Sequence, residues 1–244
     1  MLLSSPLAAT TDMWREVIDT LPAGWRYVCY DPRGTGRSSA PDNAYDIVLL
    51  GQDVIRIMDE LGIAQAVFCG VSLGGLTGIW LAAHCPDRFT GLILANTAAS
   101  FPPESMWTER AEGAMATGME QFVQPTLVRW FSPEFRESGA PGVRLVEKMV
   151  QTMLPKSYAG LCAVLGRTNL VHHLASVKCP VRVITGSLDQ STPPSRADEL
   201  MEGLPQADLV TLSAHHVPAI EQPAAFAKAV GGYLQRIEGK RGSL

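Results

Sequence analysis

Short apolar runs alternate with amphipathic segments along most of this 244-residue chain, and that alternation limits the fold more than any single motif does. "WRYVCYD" (25–31), "QAVFCG" (65–70), "FTGLILAN" (89–96), "VRVITG" (181–186) and "ADLVTLS" (207–213) read as strands. In "AYDIVLLGQDVIRIMDELG", apolar residues at 47, 50, 54, 57, 58 and 61 share one helical face before a glycine stop. "LTGIWLAAHC", "SRADELMEGL" and "PAAFAKAVGGYLQRI" read as helices too, and Thr11 reads as the cap of a helix carrying Trp14, Val17, Ile18 and Leu21. Strands separated by helices of about ten residues or more pair in parallel, with helices on both faces of the sheet. The expected fold class is α/β, a mostly parallel sheet flanked by helices.

Residues 105–175 break the rhythm, because "MWTERAEGAMATGMEQFVQPTLVRWF" and "GVRLVEKMVQTMLPKSYAGLCAVLG" are helical with no strand between them. They read as an all-helical lid over a core formed by 1–104 and 176–244. A net charge of −4 offers no electrostatic footprint for nucleic acid. No stretch approaches the roughly 18 apolar residues of a membrane span. Five cysteines without ligand-like spacing read as buried thiols in a reducing compartment. "MLLSSPLAA" lacks a basic leader, so the expected location is the cytoplasm. The expected partner is a small molecule, with neither nucleic acid nor membrane involved; a homo-oligomer stays open.

In a parallel sheet of this kind, ligands gather outside the carboxyl ends of the strands. "FCGVSLGGLTG" puts Ser72 there, on the turn from a strand into a helix, with Gly70 and Gly74 leaving room for a strained turn. Leu73 opens the helix, so its N–H is free to donate to a developing oxyanion. A glycine-rich turn with an incidental serine would look the same on this stretch alone. Two later strand ends separate the readings. Asp189 follows "VRVITG", and His215 and His216 follow "ADLVTLS". A serine nucleophile needs a base, and the base needs an acid to orient it. The order Ser, Asp, His on one sheet edge supplies both, with either histidine still eligible.

These segments carry a resemblance. "YDPRGTGRS", "CGVSLGGLTGIWLAAHCPDRFTGLILANTAA", "LVRWFSPEF", "TGSLDQSTPP" and "LSAHHVPAIEQP" resemble the α/β-hydrolase superfamily and, within it, the 3-oxoadipate enol-lactonases. In that pattern the catalytic histidine precedes Glu-x-Pro by five residues, which selects His216, with Glu221 and Pro223 in register. The resemblance implies a catalytic set of Ser72, Asp189 and His216, with oxyanion N–H groups from Leu73 and Leu7. It also implies two β-strands ahead of "LLSS" that this chain lacks, and an Arg-Asp-x-Asp stretch where Gly166-Arg167-Thr168-Asn169 stands. The implied reaction is ester or lactone hydrolysis through an acyl-enzyme, needing no metal or organic cofactor. A carboxylated lactone calls for a cation, for which Arg129 beside Trp130 is the first candidate and Arg167 the second. Arg33 and Arg37 are expected to hold the "DPRGTGRS" turn. A broad carboxylesterase, a cofactor-free haloperoxidase or perhydrolase, and a ligand-binding receptor on a hydrolase scaffold are the competing expectations.

Overall fold

The strands Leu2–Ser4 (β1), Val28–Tyr30 (β2), Ala66–Val71 (β3), Phe89–Ala95 (β4), Val181–Gly186 (β5) and Ala207–Leu212 (β6) form one sheet in the order β2-β1-β3-β4-β5-β6. All five pairings are parallel. This computed structural model describes residues 1–42 and 44–241. Every residue of β3 is buried, as an unbroken apolar run between two helical layers requires. The edge strand β6 instead alternates half-buried and exposed positions along most of its length. Because all strands point the same way, β1, β3, β4, β5 and β6 end on one edge. The register pairs Ser4 with Gly70, which sets the loop after β1 beside the turn after β3.

The chain crosses between strands through helices Arg15–Ile18 (α1), Ile47–Glu60 (α2) and Leu73–His84 (α3). Asp46 caps α2 by accepting from the Leu49 N–H at 2.7 Å, and Gly62, at φ 64°, ends the segment. Leu50, Gly51, Val54 and Met58 form its buried face, while Leu61 beyond it is exposed. A Cβ on Gly51 would lie 2.1 Å from the Trp80 ring, so glycine permits the close approach of α2 to α3. Leu73 through Ala82 are all buried, so α3 has no polar face in that stretch.

Between β4 and β5 the stretch expected to be a lid is helical: Glu104–Thr117 (α4), Val123–Trp130 (α5), Pro133–Glu137 (α6), Pro141–Thr152 (α7) and Pro155–Arg167 (α8). Helix α8 rests on the turn after β2, where a Cβ on Gly34 would meet the Ser157 side chain at 2.6 Å. Pro194–Gly203 (α9), Pro218–Glu221 (α10) and Pro223–Arg241 (α11) complete the fold. Among the described residues no helix is long and apolar enough to cross a membrane.

Two segments differ from their sequence expectation. The helix expected from Thr11 is a 3₁₀ turn over Thr11–Trp14 followed by the single turn α1, and its cap is Thr10, which accepts from the Asp12 N–H. Trp14 and Val17 are nonetheless buried, so the apolar spacing reported the core-facing side and not the helix length. The strand expected over 25–31 shrinks to Val28–Tyr30, half-buried at the sheet edge with only β1 to pair with. In the turn that follows, Asp31 accepts from the N–H groups of Thr11 and Arg37 at 2.8 and 3.0 Å. Arg33 works outward from this turn, with a two-bond pair to Asp53 of α2 at 2.7 Å for each bond.

Candidate active site

β3 ends at Val71 and α3 begins at Leu73, so Ser72 alone makes the turn. Its backbone sits at φ 54°, ψ −115°, a conformation non-glycine residues rarely adopt and one costing roughly 1–3 kcal/mol. Neighbouring bonds hold it there. Its N–H donates to the Ala95 carbonyl at 3.0 Å, and its carbonyl accepts from the Leu76 N–H at 2.9 Å and the Thr97 hydroxyl at 2.6 Å. The flanking glycines are demanded by space. A Cβ on Gly70 would stand 2.2 Å from the Gly74 backbone, and one on Gly74 2.3 Å from the Ser4 carbonyl oxygen. The Leu73 N–H opens α3, where a helix leaves its first amides without intrahelical partners.

Asp189 lies just past β5 and is almost fully buried. Its Oδ1 accepts from the N–H groups of Ser191 and Thr192 at 2.7 and 3.0 Å. Its Oδ2 accepts from Thr192 Oγ1 at 2.6 Å, Asn96 Nδ2 at 2.8 Å and His216 Nδ1 at 2.8 Å. Burial alone would push this carboxyl up; the facing His216 and these hydrogen bonds outweigh burial and hold it below the usual carboxylate range. An ionised acceptor at Nδ1 fixes the imidazole tautomer with Nδ1 protonated, leaving Nε2 as the basic nitrogen.

The two histidines face different partners. His215 Nδ1 lies 3.4 Å from Glu221 Oε1, while its backbone N–H donates to Glu221 Oε2 at 2.7 Å. The Ser132 N–H, at the junction of α5 and α6, donates to Glu221 Oε1 at 2.7 Å. One buried carboxylate thus ties the histidine turn to the lid.

Ser72 and His216 line a cavity of about 150 Å³, closed from the core side by Leu7 and from the lid side by Trp107, Arg129 and Trp130. The Trp130 ring centroid is 6.2 Å from that of His216. Among the described residues Ser72 Oγ makes no hydrogen bond, and catalytic bonds of this kind commonly tighten only when substrate binds. Among the described residues Arg129 has one side-chain hydrogen bond, from Nη2 to Thr126 Oγ1 at 3.3 Å. Burial, and then the charge of Arg110, lower its pKa to about 10, partly offset by Tyr158, so it is cationic at neutral pH.

The structure does not bring Arg167 to this cavity. It ends α8 with a largely exposed side chain and pairs with Glu104 at 3.2 Å. Sequence reasoning missed three contributors. Asn96 follows β4 at φ 42°, and its Nδ2 bridges Asp189 Oδ2 and the His215 carbonyl, both at 2.8 Å. Its place at a fourth strand end was the available signal. Thr192 follows Asp189 by three residues, a spacing typical of local side-chain-to-backbone bonding. Arg110 lines the cavity, and its spacing from Met106 and Trp107 on one face of α4 was the clue.

A parallel sheet with a strained turn at Ser72, and with Asp189 and His216 beyond later strand ends, has the layout expected of a hydrolase fold, and comparison with known proteins identifies that fold. The alpha/beta hydrolase fold family model matches residues 5–223, and the chain belongs to that family. It is similar to 3-oxoadipate enol-lactonase 2 of Acinetobacter baylyi, with 37% identity over 97% of this chain and 88% of the relative. Enol-lactonase 1 of the same organism is 32% identical over 98% of this chain and 89% of its own length. The crystal structure of the enol-lactonase from Burkholderia xenovorans superposes with a TM-score of 0.93 at 35% identity, covering 96% of this chain and 90% of that one. These relatives support ester or lactone hydrolysis.

Proposed function

We propose that this protein hydrolyses a small carboxylated lactone, 3-oxoadipate enol-lactone, to 3-oxoadipate through an acyl-enzyme on Ser72. The observation that carries the reading is His216 Nδ1 set 2.8 Å from Asp189, with its ring facing the cavity that Ser72 also lines. His216 Nε2 takes the proton as Ser72 Oγ attacks the lactone carbonyl. The tetrahedral oxyanion is held by the N–H groups of Leu73 and Leu7, a donor of this kind being worth about 3–4 kcal/mol. The ring opens as the enolate leaves and takes the proton back from His216, which restores the neutral imidazole. Because an enolate is a better leaving group than an alkoxide, oxyanion stabilisation matters more than the timing of that proton transfer. Water activated by His216 then attacks the acyl-enzyme and releases the acid. The chemistry calls for no metal or organic cofactor.

The cavity is small beside the ~300–1,000 Å³ of typical drug-sized sites, which supports a compact substrate over a long acyl chain. Arg129 supports recognition of a carboxylate. The free state of all five cysteines supports a reducing location, the cytoplasm.

Steady-state assays on the enol lactone, neutral lactones, aryl acetates and a peracid substrate test this reading. The expected result is the highest kcat/KM on the carboxylated lactone. Arg129→Ala is expected to lower that value by about 1.5–3 kcal/mol, the scale of a charge-assisted hydrogen bond, and to lower aryl acetate turnover far less. Equal activity on neutral esters would make the protein a broad esterase. Equal losses on both substrates would make Arg129 a packing residue.

A further inference from the structure

We infer that Arg110 is the second half of a carboxylate seat whose first half is Arg129, so that two lid helices, α4 and α5, grip one anionic group of the substrate. This rests on the proposed reading of the cavity as a hydrolase site and extends it to a residue on a different helix.

The cavity wall contains both arginines, and among the described residues no Asp or Glu lines it. Among the described residues neither guanidinium has an ion-pair partner, whereas Arg33, Arg182 and Arg236 each face an aspartate. Both arginines are half-buried. Arg110 is not loose. Its guanidinium carbon lies 5.0 Å from the centroid of the Trp107 ring, a cation–π contact that anchors the head group without using its N–H donors. Trp107 is itself fixed, donating from Nε1 to the Phe101 carbonyl at 2.7 Å. On the other wall, Arg129 spends a single donor on Thr126.

Two like charges facing one half-buried cavity repel each other, and Arg110 is close enough to make Arg129 less basic. In the unliganded cavity that repulsion is a cost that a Met or Leu filling the same space would not carry. A carboxylate between the two offsets both charges and offers acceptors for the free guanidinium donors of each. One oxygen pair can thereby draw α4 and α5 together over Ser72. The ligand class is a small organic acid carrying its carboxylate a few bonds from the scissile carbonyl. A lactone with an acid side arm fits that description, and so does the ring-opened dicarboxylate product.

The test compares wild type with Arg110→Met, Arg110→Lys, Arg129→Met and the double Met variant. Methionine keeps most of the stem packing and removes the charge; lysine restores the charge without the planar fork. The first readout is the ratio of kcat/KM on the carboxylated lactone to that on an aryl acetate. Arg110→Met is expected to lower it about tenfold to a hundredfold, with Arg110→Lys recovering part. The double variant is expected to lose less than the product of the single losses, because both arginines hold one group. The second readout is competitive inhibition of aryl acetate hydrolysis by glutarate and by valeramide. Glutarate is expected to weaken by a similar factor in each Met variant, and neutral valeramide to shift far less.

An unchanged ratio in Arg110→Met, a loss shared equally by both substrates, or fully multiplicative losses would each overturn the shared seat. Failure of the substrate assignment looks different. Wild type would then prefer neutral esters, while glutarate inhibition would still report whether the two arginines bind an acid.

Discussion

Ser72→Ala is expected to lower kcat on any ester or lactone this protein accepts by on the order of a millionfold, because nucleophile, base and acid act as one unit. The fold should survive the change. Among the described residues Ser72 Oγ makes no hydrogen bond, and the bonds that hold the elbow run through its backbone to Ala95, Leu76 and Thr97. Alanine carries the same Cβ at the same positive φ, so strain at the turn changes little. Rate assays at high enzyme concentration, run beside a thermal melt, separate loss of chemistry from loss of structure. A variant that melts like wild type and retains a tenth of its activity would remove Ser72 from the nucleophile role.

The paired histidines give the second large effect. His216→Ala is expected to fall close to the Ser72→Ala level, since it deletes the group that would both take and return the proton. His215→Ala is expected to keep turnover within about tenfold of wild type, on the view that its ring serves structure alone. Its imidazole sits beside Glu221, and the contacts that order the turn are its backbone N–H to Glu221 and its carbonyl to Asn96. Those two bonds survive truncation of the side chain. Parallel kcat measurements on the two variants decide the matter, and reversed behaviour would exchange the roles assigned to them.

Much of this arrangement was legible because a parallel sheet brings successive strand ends to one edge. Ser72, Asp189 and His216 each follow a strand by one to four residues, so chain order and strand ends were enough to nominate them. The glycines around Ser72 were readable as well, because a Cβ at Gly70 or Gly74 would stand only 2.2–2.3 Å from neighbouring backbone atoms. The choice between His215 and His216 came from register to Glu221. The chain did not advertise why that register matters, namely that Glu221 holds the N–H of His215 and, through Ser132, the lid.

What escaped the sequence reading depends on which way a polar side chain points. Arg167 and Arg110 are both lid arginines near apolar residues; spacing sets Arg110 on one face with Met106 and Trp107, and the structure adds that this face lines the cavity. Arg167 ends α8 with its own side chain in solvent and Glu104 within reach, although Val164 and Leu165 in the same turn are buried. Arg110 lies inside α4 on the face that carries Trp107 into the cavity. Asn96 was hidden for a related reason. A single asparagine after an apolar strand reads as a stop signal, and only the meeting of three strand ends reveals the hydrogen bonds it gives to Asp189 and His215. The N-terminal helix was overestimated because apolar spacing records burial, and a 3₁₀ turn followed by one α turn buries Trp14 and Val17 equally well.

Hydrolysis by the proposed route passes through a covalent intermediate on Ser72. The most direct measurement is acid quench during turnover of an activated ester that deacylates slowly, followed by peptide mass spectrometry. One acyl group per active chain is expected on the peptide carrying Ser72, formed in a burst and absent from Ser72→Ala. Sustained turnover with Ser72 unmodified, or an acyl group trapped on another side chain, would contradict it.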